Sequence, residues 1–344
     1  VVLLVVIGLV ILYSTSAYNG QVKFHDSFYY LKKQAFATVL GIVLMLFVAG
    51  MDYHIWQRLA VFGYLAAVAL SVAVMLFGRE INGSKRWLAL GPFSFQPSEF
   101  AKVALILFLA DLVTKNVKTI GKIWTLCRIM FWILPIVGLV GASNLSTAII
   151  ILGIGVILIF VASPKYAQFA LMGIAGACFM GIFLALESYR LERLAIWRNP
   201  EKYEKGYQTL QGLYAIGSGG VFGVGIGNSV QKLGFVPEAQ NDMIFSIICE
   251  ELGLAGAGII VFLFLLLIWR FFLIASGSRD LFGALIATGA MAHMMIQVIL
   301  NIAVVTNTIP NTGITLPFIS YGGTSVMFLL IEMGLVLSVS QVVD

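Results

Sequence analysis

Asp242 closes the polar stretch Pro237-Glu238-Ala239-Gln240-Asn241-Asp242, and an apolar helix is expected to start at Met243. A carboxylate at such a junction has two readings: a plain helix N-cap, or a partly buried acid whose raised pKa suits it to taking a proton. The residues alone leave both open. Glu99 and Lys102 stand three apart at the opening of another helix, so they share a face and can neutralise each other near a membrane surface. One reading is a capped helix, with Ser98 as N-cap and Glu99 favoured by its dipole; the other is a pair that serves chemistry. Capping explains Lys102 less well, because a lysine one turn into an apolar span costs roughly 2.5 to 3.5 kcal/mol at the bilayer centre. Such a residue usually faces a wet cavity. Arg86, within Ser84-Lys85-Arg86-Trp87, adds a cation to the polar segment ahead of this helix.

The glycines at 217, 219, 220, 223, 225 and 227 make a loop whose N–H groups could cradle phosphate oxygens. The loop lacks the Gly-Lys-Ser/Thr ending and preceding strand of a nucleotide-binding P-loop, so flexible backbone lying on a membrane surface is an equal reading. His293, Gln297 and Asn301 fall at i, i+4 and i+8, a polar stripe expected to hydrogen-bond other helices. Glu332, inside the last apolar run, must face the interior or a partner, while Asp111 fits a cytoplasmic helix end. Cys127, Cys178 and Cys249 are far apart and lie in or beside apolar segments, which indicates neither a disulfide framework nor a metal site.

The elements that must position these groups are membrane helices. Of 344 residues, 60% are hydrophobic and 11% charged, with a mean hydropathy of +1.00, which excludes a soluble globular domain. Apolar runs recur at about 1 to 17, 35 to 51, 59 to 78, 99 to 114, 128 to 142, 145 to 163, 168 to 187, 243 to 274, 281 to 305 and 324 to 342. The fold expected is therefore an all-α, polytopic bundle of about ten transmembrane helices. It is expected to form one domain over 1–344, with a large extracytoplasmic loop, 188 to 242, between helices 7 and 8. Val1 to Leu12 carries no basic segment or cleavage site ahead of it, so the chain is expected to begin inside its first span. The formal charge of +5 lacks the dense Lys/Arg block of a nucleic-acid binder and suits anionic lipid headgroups.

Charge does not decide orientation. Lys115, Lys118, Lys122 and Arg128 look cytoplasmic, yet Arg190, Arg193, Arg198, Lys202, Lys205 and Lys232 lie on the opposite side. With both termini in the cytoplasm, the polar segments 79 to 98, 188 to 242 and 306 to 322 would face outward together.

Several ordered motifs carry a resemblance that the physics does not supply. They are Asn82-Gly83-Ser84 with Arg86-Trp87, Gln96-Pro97-Ser98-Glu99 with Lys102, Gly206-Tyr207-Gln208, Gly217-Ser218-Gly219-Gly220, Pro237-Glu238-Ala239 with Asp242, Glu250-Glu251-Leu252-Gly253, and Leu316-Pro317-Phe318 with Ser320-Tyr321-Gly322-Gly323. Over essentially its whole length the chain resembles the SEDS family (shape, elongation, division and sporulation) of membrane glycosyltransferases that polymerise peptidoglycan. Gly225-Ile226-Gly227-Asn228-Ser229 and Gln231-Lys232-Leu233 are more similar to the division and sporulation branch, FtsW and SpoVE, than to the elongation branch, RodA. Ser143-Asn144-Leu145-Ser146-Thr147 departs from the pattern, with Asn144 where many relatives carry an acid.

The resemblance implies ten spans in the bacterial cytoplasmic membrane, both termini cytoplasmic, and Asp242 as the catalytic carboxylate. It also implies substrate-binding roles for Glu99, Lys102, Arg86, Ser98, Glu238, Gln208, Ser320 and Tyr321. The substrates would be lipid II and an undecaprenyl-pyrophosphate-linked glycan. The expected partners are a class B penicillin-binding protein and other divisome or elongasome membrane proteins, with no nucleic acid. A divalent cation, Mg²⁺ or Mn²⁺, could share the charge of the departing pyrophosphate, although no dedicated ligand cluster is visible. A lipid II flippase and an idle scaffold for the penicillin-binding protein are the other readings.

Overall fold

The computed structural model describes residues 1–81, 84–90, 93–165, 167–170, 172–174, 176 and 194–342. The span expected over 168 to 187 falls largely outside these residues, as do Asn82, Gly83, Cys178, Arg190 and Arg193. Long helices are α1 (Val2–Phe24), α2 (Tyr29–Ala49), α3 (Tyr53–Phe77), α4 (Pro97–Asn116), α5 (Ile123–Ser143) and α6 (Leu145–Ala162). A shorter α7 (Tyr207–Gly219) precedes α8 (Ile244–Gly277), α9 (Leu281–Val305) and α10 (Gly323–Ser340). Among the described residues, eight helices are long and apolar enough to cross a membrane. Helix α4 is also long, but Glu99, Lys102, Asp111 and Lys115 dilute its apolar run. The chain is a multi-pass, all-α membrane protein.

Helices begin earlier or end later than the apolar runs suggest. Helix α1 continues to Phe24, past the expected end near residue 17, because tyrosine, asparagine and lysine still suit the water-facing edge of a bilayer. One element was not expected. The polar segment before α4 forms an antiparallel three-stranded meander, β1 (Arg79–Ile81), β2 (Ser84–Leu90) and β3 (Phe93–Phe95). Glu80 pairs with Lys85 between the first two strands, and Ala89 with Ser94 between the last two. The alternation in these strands is too short to stand out within an apolar sequence.

Contacts divide the chain into two compact units. The first comprises 1–36, 170–267 and 297–323; the second comprises 37–169, 268–296 and 324–344. In the second, α4 is buried on nearly every side, from Ala101 through Asp111, with Lys102 and Asp111 among its buried residues. In the first, α8 breaks at Gly253, whose φ of 67° is left-handed and interrupts the helical ladder. The freed backbone groups pair with the glycine-rich loop: Val224 N donates to Glu250 O and Gly225 N to Glu251 O, both at 2.9 Å, while Leu254 N donates to Gly220 O at 3.0 Å.

Candidate active site

In the first unit the site is built around Asp242. Helix α8 begins only at Ile244, so Asp242 stands one residue ahead of the capping position and is not the plain N-cap of one of its two readings. Its backbone carbonyl is fixed instead. Asn301 Nδ2 donates to Asp242 O at 2.9 Å and to Ile314 O at 2.7 Å, tying the 237–242 segment to the segment before α10. The side chain meets Gln208, whose Nε2 donates to Asp242 Oδ1 at 3.3 Å and to Pro237 O at 3.1 Å. Gln208 is aimed in turn by Asn311, which donates to its Oε1 at 3.1 Å and itself accepts from Gly313 N at 3.0 Å.

Gly313 has a φ of 68°, and a Cβ added there would lie 3.9 Å from Asp242 Oδ2. Gly313 therefore adds no side chain beside the carboxylate.

Asp242 is 9% exposed. Burial, with the negative charge of Glu238 as a smaller contribution, pushes its pKa up to about 6. Hydrogen bonds from Gln208 and from backbone amides oppose the rise. A carboxyl with that pKa is mostly ionised at neutral pH and still basic enough to accept a proton from a reacting hydroxyl.

The other expected residues of this unit have defined places. Glu238 adopts a φ of 52° and accepts from the Asn241 amide, which shapes the turn into Asp242. Tyr321 N donates to Gln240 O at 2.9 Å, and burial pushes the Tyr321 phenol up to about 12, so its proton stays on. Ser320 is buried, and its Oγ accepts from Leu316 N at 2.8 Å; the hydroxyl closes a turn. Gln34 brackets that turn, donating to Ser320 O at 3.2 Å and accepting from Gly322 N at 3.1 Å.

Three amides of the glycine-rich loop are already engaged within the protein. The amides of Gly223, Val224 and Gly225 are consumed by Gly219 O, Glu250 O and Glu251 O. A loop that repairs a broken helix cannot also present those donors to a ligand.

Glu99, Lys102, Arg86 and Ser98 belong to the second unit. Lys102 Nζ lies 3.1 Å from Glu99, and both side chains are buried. The Ser325 hydroxyl also hydrogen-bonds Glu99, and His293 lies within electrostatic range. His293 Nδ1 is 2.8 Å from Glu332 Oε2, so the polar stripe on α9 splits: His293 pairs with a carboxylate of α10, whereas Gln297 and Asn301 serve loop carbonyls. Ser98 is not the N-cap. Gln96 takes that position and Pro97 occupies N1, where its missing N–H costs nothing; the Ser98 hydroxyl accepts from Gln96 Nε2 at 3.1 Å. Arg86 Nε donates to Ser143 O at 3.1 Å, in a recess lined by Ser71, Ser98 and Asn144. Asn144 itself caps α6, accepting from Thr147 N at 3.3 Å, a role that an acid would fill equally well.

Sequence reasoning missed a buried cluster in the first unit. Lys232 Nζ lies 2.7 Å from Glu251 Oε1 and donates to Ser14 Oγ at 3.0 Å, while Ser14 donates back to Glu251. Glu250 accepts from Ser229 Oγ and from Val230 N. Two adjacent carboxylates in an apolar helix must find partners, and that was the available signal. Among the described residues, no group of three or more His, Cys, Asp or Glu side chains is placed to hold a metal ion.

Fold and site define a multi-pass membrane protein with a buried carboxylate suited to proton transfer at the entry of one span. The family model described as "Cell cycle protein", covering FtsW, RodA and SpoVE, matches residues 1–344, and the chain belongs to that family. It is 40% identical to "Stage V sporulation protein E" of Bacillus subtilis (strain 168), over 98% of this chain and 94% of that protein. It is 34% identical to "Probable peptidoglycan glycosyltransferase FtsW" of Geobacter sp. (strain M18), over 98% and 94%. Among solved structures, a chain described under "Structural coordination of polymerization and crosslinking by a peptidoglycan synthase complex" matches with a TM-score of 0.82 at 28% identity, covering 98% of this chain and 96% of that one. Thermus thermophilus RodA matches with a TM-score of 0.72 at 28% identity, over 99% and 95%.

Proposed function

We propose that this protein is an inverting peptidoglycan glycosyltransferase that polymerises lipid II at the outer face of the bacterial cytoplasmic membrane, with both termini in the cytoplasm. The names of its relatives support the activity, and the buried, basic carboxylate of Asp242 is the observation that carries the mechanism.

In the proposed reaction the 4-hydroxyl of lipid II attacks the anomeric carbon of the growing glycan in line with its bond to the undecaprenyl pyrophosphate. The new C–O bond forms as the bond to pyrophosphate breaks, so the α-linked donor gives a β-linked product. Asp242 takes the hydroxyl proton, a general-base contribution on the order of 10² to 10⁴ in rate. Gln208 orients the receiving carboxylate, and Glu238 keeps it basic. Within the second unit, Lys102 and Arg86 are the cations we assign to the anionic headgroup of such a lipid-linked substrate, with Glu99 and Ser98 beside them. No step is routed through a metal ion. The buried charges of the second unit also motivate the flippase reading.

We assign crosslinking to a class B penicillin-binding protein as partner. The decisive experiment supplies lipid II and that partner to purified wild-type protein and to Asp242→Ala. Polymer from wild type alone supports the enzyme. Equal polymer from both removes Asp242 as the base, and headgroup translocation without polymer from either favours the flippase.

A further inference from the structure

The segment from Gly206 to Pro237 belongs to the polar extracytoplasmic loop expected over 188 to 242, yet its charge and its apolar side chains are arranged the other way round from a loop in water. Across those residues the sequence has one charged side chain, Lys232. It is 6% exposed, neutralised by Glu251 and bonded to Ser14. Between 221 and 235 the large apolar side chains point outward. Phe222 is 84% exposed, and Val221, Ile226, Val230, Leu233 and Phe235 are all exposed as well. A loop bathed in water buries its apolar groups and exposes its lysine, because exposed apolar area is unfavourable in water and a buried cation must find a partner. Charge inside and hydrocarbon outside is the pattern of a segment whose solvent is lipid.

The backbone fixes where that lipid must be. Gly220 O and Val221 O accept from Leu254 N and Ala255 N at the break in α8, each at 3.0 Å. Val221 and Phe222 thus sit level with Leu254, where the exposed apolar stripe of α8 begins and continues through Ile259 and Phe262. From Leu254 to Gly277 the helix runs long enough to cross about 30 Å of hydrocarbon by itself at 1.5 Å per residue. The loop is therefore continuous with the lipid-facing stripe at its end, the edge of the hydrocarbon layer. At that depth backbone donors are best met from within the protein, and Val224 N and Gly225 N are paired with α8 and Val230 N with Glu250.

We propose that residues 220–235 form a re-entrant element seated in the membrane, with Val221, Phe222, Ile226 and Leu233 inserted among phospholipid acyl chains at the leaflet where α8 begins. The occupant of this surface is bilayer lipid, not another protein. The Lys232–Glu251–Ser14 cluster is the pin that holds the element against α1 and α8 at that depth.

Single-cysteine variants at Phe222, Ile226 and Leu233, with a control at the exposed Lys202, are made in a background with Cys127, Cys178 and Cys249 replaced, labelled with an environment-sensitive fluorophore and reconstituted in phosphatidylcholine vesicles. A nitroxide on the upper acyl chain should quench the three loop labels several-fold more than aqueous iodide does, with the opposite order at Lys202. Iodide quenching equal to that at Lys202 overturns the proposal. So does protection from both quenchers, the result a covering second copy would give. A second measurement needs no substitution: a phospholipid carrying a diazirine on its upper acyl chain should photolabel the tryptic peptide Gly206–Lys232 of the native protein. Labelling confined to the long spans overturns the proposal equally.

Discussion

Gln208 and Asp242 lie 34 residues apart in sequence and meet through one hydrogen bond of 3.3 Å, with Asn311 holding the far side of the Gln208 amide. The donor stabilises the ionised carboxylate, so it acts against burial in setting the pKa near 6. Gln208→Leu removes it. The acidic limb of the pH–rate profile should move up by about one unit, equivalent to about 1.4 kcal/mol, and the maximal rate should fall roughly tenfold as the carboxylate loses its orientation. A lowered rate with an unmoved acidic limb would show that Gln208 serves packing only.

Asp242 couples catalysis and stability with opposite signs. Its pKa is 3.8 in the unfolded reference and about 6 in the folded protein, so between those values the native state binds more proton and stability falls as pH rises. Above about pH 6 the loss is complete and amounts to about 3 kcal/mol at 1.36 kcal/mol per unit. Asp242→Asn should therefore raise the melting temperature in detergent at pH 8, leave it unchanged near pH 4, and lower polymerisation by about 10² to 10⁴. A variant less stable than wild type at pH 8 would contradict the assignment of burial as the dominant cause. Wild-type activity should itself decline as pH drops through 6.

The Lys232–Glu251 pair is testable by a double-mutant cycle. Lys232→Met leaves Glu251 buried without its cation and should destabilise the protein by about 3–5 kcal/mol. Lys232→Met with Glu251→Leu removes both charges, and should recover most of that loss, because the pair returns little net energy once its desolvation is counted. Ser14 would then lose its acceptor, which keeps the recovery incomplete. Additive losses in the double variant would mean that the two side chains are not coupled.

Most of the long helices were legible because each is dominated by an apolar run of membrane-spanning length, a local property that needs no partner. The 220–235 loop was not, since glycine, glutamine and one lysine give it a polar look, and only the fold reveals that Lys232 turns inward. Glu99 with Lys102 could be read at i and i+3. Gln208 with Asn311 could not, because 103 residues separate them and nothing in either segment names the other. The two readings of Asp242 were separable only by where α8 begins. One residue's difference between a capping aspartate and a poised base lies below the precision of boundaries read from sequence.

Gly253 carries the geometry on which the whole loop depends. A Cβ added there would lie 2.4 Å from both Gly223 N and Val221 O, and the residue's φ of 67° already penalises any L side chain. Gly253→Ala should thus cost about 2–5 kcal/mol, the sum of left-handed strain and overpacking against backbone that cannot yield. Gly258 is the control: it lies further along the same helix with nothing within 4 Å of an added Cβ, so Gly258→Ala should stabilise by up to about 1 kcal/mol. If the loop owes its depth to this break, Gly253→Ala should also make Lys205 and Lys232 more susceptible to trypsin in intact vesicles, while Gly258→Ala leaves the digest unchanged. Equal melting temperatures and equal digests for the two variants would show that the break in α8 is incidental to the seating of the loop.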